Sequence, residues 1–127
     1  MKIFGIGTDI VKISRIKKII KKKHFIKRLF NEDEYLKCKK TRNTSNCFAK
    51  RFAAKEAFSK ALGTGISNGI NFNEIVVLNE KNGKPFIKVI DKTKKVVEKK
   101  LKNKKYKISL SLTDEDRYAV AFVTISI

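Results

Sequence analysis

Apolar and polar positions along the chain alternate between two rhythms. "IFGIG", Ile3 to Gly7, reads as a short strand whose glycines allow close approach of backbone or ligand, with Asp9 just beyond it. From Ser14 to Phe30 apolar residues recur at positions 16, 19, 20, 25, 26, 29 and 30, a helical spacing with an irregularity near Lys23–His24. Asn31 followed by Glu34 has the form of a capping box for a helix from Glu32 to about Lys40. Thr41 to Asn46 reads as a loop, and a third helix runs from about Phe48 to Leu62, where Gly63 and Gly65 end it. "EIVVL" (Glu74–Leu78) and "FIKVI" (Phe86–Ile90) flank the turn "NGKP" and predict a hairpin. Asp91 is expected to cap a short helix that turns Val96, Val97 and Leu101 to the core. "YKISLSL" alternates, whereas "YAVAFVTISI" is nearly unbroken and is therefore expected to be a central strand. The pattern predicts an α+β domain spanning 1–127, with an antiparallel or mixed sheet packed against a long central helix.

A length of 127 residues suits one core, and 42% hydrophobic residues argue against wholesale disorder. No apolar run is long enough to span a membrane, and the glycines and Asp9 make the first ten residues a poor signal peptide. A cytoplasmic protein is expected. Cys38 and Cys47, nine positions apart, show no metal-site spacing. They could form a disulfide, but free thiols are the expectation for such a compartment.

Charge changes the picture more. Lys and Arg total 31 against 12 acids, a net +19, which attracts nucleic acid, an acidic protein or a phosphorylated small molecule. An abundance of Lys, Asn and Ile also suggests compositional drift, which inflates a solvated face without building a specific cluster. The segment Lys17–Arg28 carries seven bases and no acid. A nucleic-acid binder would use that face as a phosphate track and would need neither Asp9 nor Glu56.

The candidate chemistry lies in "KRFAAKEAFSKALGTG", Lys50 to Gly65. Phe52, Glu56 and Lys60 follow at i, i+4 and i+8 and share one side of an otherwise apolar helix. Glu56 and Lys60 could be no more than a helical ion pair. Asp9 adds the other possibility: one carboxylate from a strand and one from a helix form a sparse oxygen set that suits Mg²⁺ completed by water and substrate phosphates. Zinc is not suggested, since the single histidine, His24, and the two cysteines form no cluster. Neither "GIG" nor "GTG" supplies a dinucleotide fingerprint or a Walker lysine, and Ser109 and Ser111 lack a nucleophile elbow.

"GIGTDIVKISRI", "RFAAKEAFSKALGTG", "NGKP" and "SLTDEDRYAVAFV" occur in that order across nearly the whole chain. Together they resemble the holo-[acyl-carrier-protein] synthases, the small trimeric class of 4'-phosphopantetheinyl transferases. The resemblance implies their fold and transfer of the 4'-phosphopantetheine arm of coenzyme A to a serine of apo-acyl-carrier protein, releasing adenosine 3',5'-bisphosphate. It implies Asp9 and Glu56 as Mg²⁺ ligands, Lys60 near the pyrophosphate, and Arg51 holding the coenzyme; for the base that the transfer calls for, Glu56, directly or through a metal-bound water, is the best candidate. Lys50, where many relatives have glycine, could add a contact to coenzyme phosphate. Arg15 is expected on the surface that meets the acidic carrier, and the Lys17–Arg28 face, with Lys22 and Arg28, could steer that partner in. The resemblance further implies a homotrimer with active sites between adjacent subunits. Many relatives carry histidine where this chain has Asp114, and an acid cannot offer a 3'-phosphate the cation that histidine would.

Overall fold

Two glycines in the first strand set how the chain is layered. The computed structural model describes residues 1–65 and 69–127. In chain order its elements are β1 (Ile3–Lys12), α1 (Ile13–Ile19), α2 (Lys23–Leu29), α3 (Glu32–Lys39) and α4 (Thr44–Leu62). A single 3-10 turn (Phe72–Glu74) then leads into β2 (Ile75–Asn79), β3 (Pro85–Val89), α5 (Asp91–Lys100), β4 (Lys107–Asp114) and β5 (Tyr118–Ser126). A Cβ on Gly5 would lie 1.9 Å from the carbonyl oxygen of Ala61, and one on Gly7 would lie 1.9 Å from that of Ala57. No side chain fits either gap, so β1 and α4 meet backbone to backbone.

β1 is longer than "IFGIG" because the two-residue alternation continues: Val11 turns into the core and Lys12 stays exposed. Asp9 therefore lies within the strand, opposite Ala121, and not beyond its end. The sheet order is β1-β5-β4, antiparallel throughout, with the nearly unbroken apolar strand central as expected. Ala119, Ala121, Val123 and Ile125 of β5 are all buried toward α4. Lys2 and Ile127 exchange backbone hydrogen bonds beside the sheet, and Thr8 Oγ1 donates to the Ala121 carbonyl across 113 residues. The β2–β3 hairpin forms a separate antiparallel pair, its turn containing Gly83 at a φ of 91°.

Helix ends follow local chemistry in most places. The break between α1 and α2 falls at residues 20–22, next to the expected irregularity. α3 has its full capping box: Asn31 accepts from Asp33 N, and Glu34 Oε1 accepts from Asn31 N at 2.9 Å. α4 begins at Thr44, which shortens the expected loop, and it closes on Gly63 in the left-handed conformation at a φ of 84°. α5 departs from expectation. Ile90 occupies its N-cap, Asp91 is the first helical residue at a φ of 52°, and no side chain of the helix caps it. Glu74 takes that role from the 3-10 turn, accepting from Thr93 N at 3.1 Å and Thr93 Oγ1 at 2.8 Å.

Two cross-links tie α3 to α4. Cys38 and Cys47 are joined in a disulfide with a Cα–Cα separation of 5.4 Å, which corrects the expectation of free thiols. The short turn between α3 and α4 folds them side by side and brings the sulfurs together, a juxtaposition that nine residues of spacing do not reveal. The second link is a buried ion pair in which neither Glu34 nor Lys55 exposes side-chain surface. Lys55 Nζ donates to Glu34 Oε1 at 2.7 Å, to Phe72 O at 2.8 Å and to Ile75 O. Glu34 Oε2 accepts from Val77 N at 3.0 Å. Burial pulls the Lys55 ammonium down to about 8, with the Glu34 charge acting against that fall, so Lys55 still carries its charge at pH 7.

Gly7→Ala must force the strand off the helix, and should lower the unfolding free energy by about 1–3 kcal/mol or more. An unchanged urea midpoint would show that the two backbones are not this close. Glu34→Gln leaves a buried ammonium without its counter-charge and should cost about 3–5 kcal/mol. An unchanged denaturant midpoint in that variant would contradict the pairing.

Candidate active site

Along the inward face of β1 come Gly5, Gly7 and Asp9. The glycines yield to the helix, and Asp9 is the next inward residue. Lys60 reaches from α4 to donate to Thr8 O at 2.9 Å and to pair with Asp9 Oδ1 at 3.3 Å. The alternative Glu56–Lys60 helical pair does not form. Among the described residues the Glu56 carboxylate has neither an ion pair nor a hydrogen bond. Burial raises its pKa above the ordinary carboxylate range and the neighbouring Asp9 charge raises it further, while Lys60 and Arg15 act in the opposite direction. Arg15, on α1, lies with its guanidinium carbon 5.8 Å from the centroid of the Phe52 ring. The fold thus brings Asp9, Arg15, Glu56 and Lys60 together.

Two carboxylates held close, of which Asp9 is ion-paired to Lys60 and Glu56 makes no direct pair among the described residues, form an oxygen-donor site. The donor set fits Mg²⁺, a hard cation that takes few protein carboxylates and completes its shell with water and phosphate oxygens. Among the described residues no group of three or more His, Cys, Asp or Glu side chains could hold a metal, so the remaining ligands have to come from outside this set.

Arg51 and Lys50 do not join that group. On an α-helix residue 51 points about 140–180° away from 56 and 60, and Arg51 serves the other side. It is buried, Nη1 lies 3.2 Å from Cys47 Sγ, and Nη2 donates to Asn79 Oδ1 at 2.9 Å. Nε is buried with no partner. Desolvation lowers the Arg51 pKa, opposed by the charge of Glu34. Lys50 pairs with Asp114 Oδ1 at 3.5 Å, and Asn46 Nδ2 donates to Asp114 Oδ2 at 2.8 Å. These residues line a cleft of about 500 Å³ together with Lys37, Asn79, Lys81 and Gly83. "NGKP" therefore contributes its glycine and proline to this cleft. Asn46 and Asn79 escaped the sequence reading; the faint signals were a polar residue one turn before Lys50 and another at a strand end.

Lys22 and Arg28 lie elsewhere. Lys22 is the N-cap of α2 with its ammonium 5.7 Å from the Phe25 ring centroid, and Arg28 is exposed in the last turn of α2. A larger cleft of about 750 Å³, lined by Lys23, Lys27, Tyr35, Glu74 and Asp91, contains none of the expected site residues. No helix among the described residues is long and apolar enough to cross a membrane.

Residues 5–123 match the model of the 4'-phosphopantetheinyl transferase superfamily. The chain is 50% identical over 125 residues to the holo-[acyl-carrier-protein] synthase of Pelagibacter ubique (strain HTCC1062), covering 98% of each chain. The crystal structure of a holo-[acyl-carrier-protein] synthase from Neisseria meningitidis superposes with a TM-score of 0.88 at 37% identity, over 98% of this chain and 99% of that one. The enzyme from Bacillus anthracis str. Ames, solved in complex with CoA (3',5'-ADP), gives a TM-score of 0.80 at 34% identity, over 98% and 97% of the two chains.

Proposed function

The chain belongs to the 4'-phosphopantetheinyl transferase superfamily, and we propose that it works as a holo-[acyl-carrier-protein] synthase. It transfers the 4'-phosphopantetheine of coenzyme A to a serine of apo-acyl-carrier protein, a step in lipid biosynthesis, and releases adenosine 3',5'-bisphosphate. The observation that carries the reading is Lys60 paired with Asp9 at 3.3 Å beside a Glu56 carboxylate that has no hydrogen-bond or ion-pair partner among the described residues.

The serine oxygen forms a bond to the phosphorus that carries the pantetheine arm, and the pyrophosphate bond to the nucleotide breaks. Glu56 accepts the serine proton, directly or through a water. Lys60 balances negative charge that gathers on the departing phosphate. Asp9 and Glu56 would hold Mg²⁺, which supplies charge neutralisation at the diphosphate oxygens when bound. The nucleophile belongs to the carrier, so none is required on this chain. Arg15 stands at the edge of the site, where an acidic carrier would approach, and Lys22 and Arg28 extend the cationic surface along α1 and α2.

Two features support a homotrimer with sites between subunits. Arg51 and its cleft lie on the opposite side of α4 from Glu56 and Lys60, so each subunit offers two half-sites facing different ways. The outer face of the sheet also exposes Ile6, Ile10 and Phe122, which share that face by strand alternation and register. Such an apolar surface suits burial against another copy.

Incubation with apo-carrier and coenzyme A should add the mass of one phosphopantetheine to the carrier with Mg²⁺ and none with EDTA. Glu56→Ala should lose turnover by roughly 10²-fold or more while keeping the parent's circular dichroism. Undiminished transfer by that variant would remove Glu56 from the chemistry. Mixed assemblies of inactive Glu56→Ala and Arg51→Ala subunits should regain activity, because one of their interfaces unites two intact half-sites. Mixtures as inactive as their components would place each active site within a single subunit.

A further inference from the structure

The cleft beside Arg51 holds a carboxylate among cations. Asp114 ends β4 at this cleft and touches two residues one helical turn apart on α4, accepting from Asn46 Nδ2 at 2.8 Å and pairing with Lys50 Nζ at 3.5 Å. Arg51 is only 4% exposed, and its Nε is unpartnered. Lys37 and Lys81 add positive charge along the lining. A buried guanidinium with an unused donor and flanking ammonium groups is a surface for a phosphate-bearing ligand. A bare carboxylate within a few ångströms of that phosphate would repel it, more strongly as the ligand displaces water. Lys50 is the ion-pair partner of Asp114 among the described residues. Their side chains are 32% and 27% exposed, so the pair adds little to stability and acts chiefly on the local field.

We propose that Lys50 is a positioning residue that serves coenzyme binding by neutralising Asp114, with its ammonium held on that carboxylate and away from the ligand's phosphate. Arg51 then supplies the direct charge, and Asn46 fixes the carboxylate from its other oxygen. The inference rests on the reading that this cleft receives the phosphorylated nucleotide end of coenzyme A. It makes Lys50 dispensable once Asp114 carries no charge.

The test is calorimetric binding of adenosine 3',5'-bisphosphate to the intact protein and to Lys50→Ala, Asp114→Asn and the double variant. Lys50→Ala should weaken binding roughly 10-fold, because it leaves Asp114 facing the phosphate unbalanced. Asp114→Asn keeps the contact to Asn46 and should bind as tightly as the parent or up to about threefold more tightly. The double variant should return to within about threefold of Asp114→Asn. In turnover, Lys50→Ala should raise KM for coenzyme A with kcat unchanged, and its thermal midpoint should match the parent's. A double variant as weak as Lys50→Ala would show that Lys50 meets the ligand itself, overturning the inference while leaving the cleft's assignment intact. A Lys50→Ala variant that binds like the parent would also overturn it. Failure of the parent to bind the bisphosphate would sink the cleft's assignment and the inference with it.

Discussion

Backbone contact between β1 and α4 is the constraint on which the rest of the molecule depends. With hydrogen atoms alone at Gly5 and Gly7, the strand lies against the Ala57 and Ala61 carbonyls. That proximity lets Lys60 bond both the backbone of Thr8 and the carboxylate of Asp9. Close packing, which tolerates little displacement, thereby fixes the geometry of a polar site. The small inward residues of β5, Ala119 and Ala121, continue the same thin layer beneath the helix.

α4 divides its charged residues among unlike tasks. Lys55 is sealed in the interior on Glu34, Arg51 is nearly buried beside Asn79, and Glu56 and Lys60 face Asp9. The buried pair is tolerable because both ions are fully engaged: three acceptors surround Lys55 Nζ, and two backbone donors meet Glu34 in addition to that ammonium. By joining α3, α4, the 3-10 turn and the start of β2, it holds the hairpin beside the Arg51 cleft.

Features governed by neighbours in sequence were legible. The Asn31–Glu34 box, the Gly63 terminator, the hairpin turn and the central place of β5 each follow from local pattern. Asp9, Glu56 and Lys60 could be grouped because strand and helix periodicity, together with the family motifs, pointed to one place. What depends on distant contacts stayed hidden. Lys55 looked like one more base in a lysine-rich chain, and Glu34 was accounted for by its cap, although each is the other's buried counter-ion. The same holds for the disulfide, which depends on how α3 folds back on α4, and for α5, whose cap arrives from Glu74 rather than from Asp91. The split of Arg51 from Glu56 follows from helical angle, but its meaning requires knowing what lies on each side.

The pairing of β1 with β5 has a consequence for how the molecule comes into being. Asp9 takes its register from Ala121, and Thr8 bonds the same residue across 113 positions. Loop closure over that distance is entropically costly and slow compared with forming any helix or the β2–β3 hairpin. During synthesis, residue 9 therefore emerges long before the strand that orients it, and α4 must wait with one face uncovered. Asp9 takes its final place beside Lys60 only after β5 has been made and inserted between β1 and β4, so the charged cluster at that strand is among the last parts of the molecule to form.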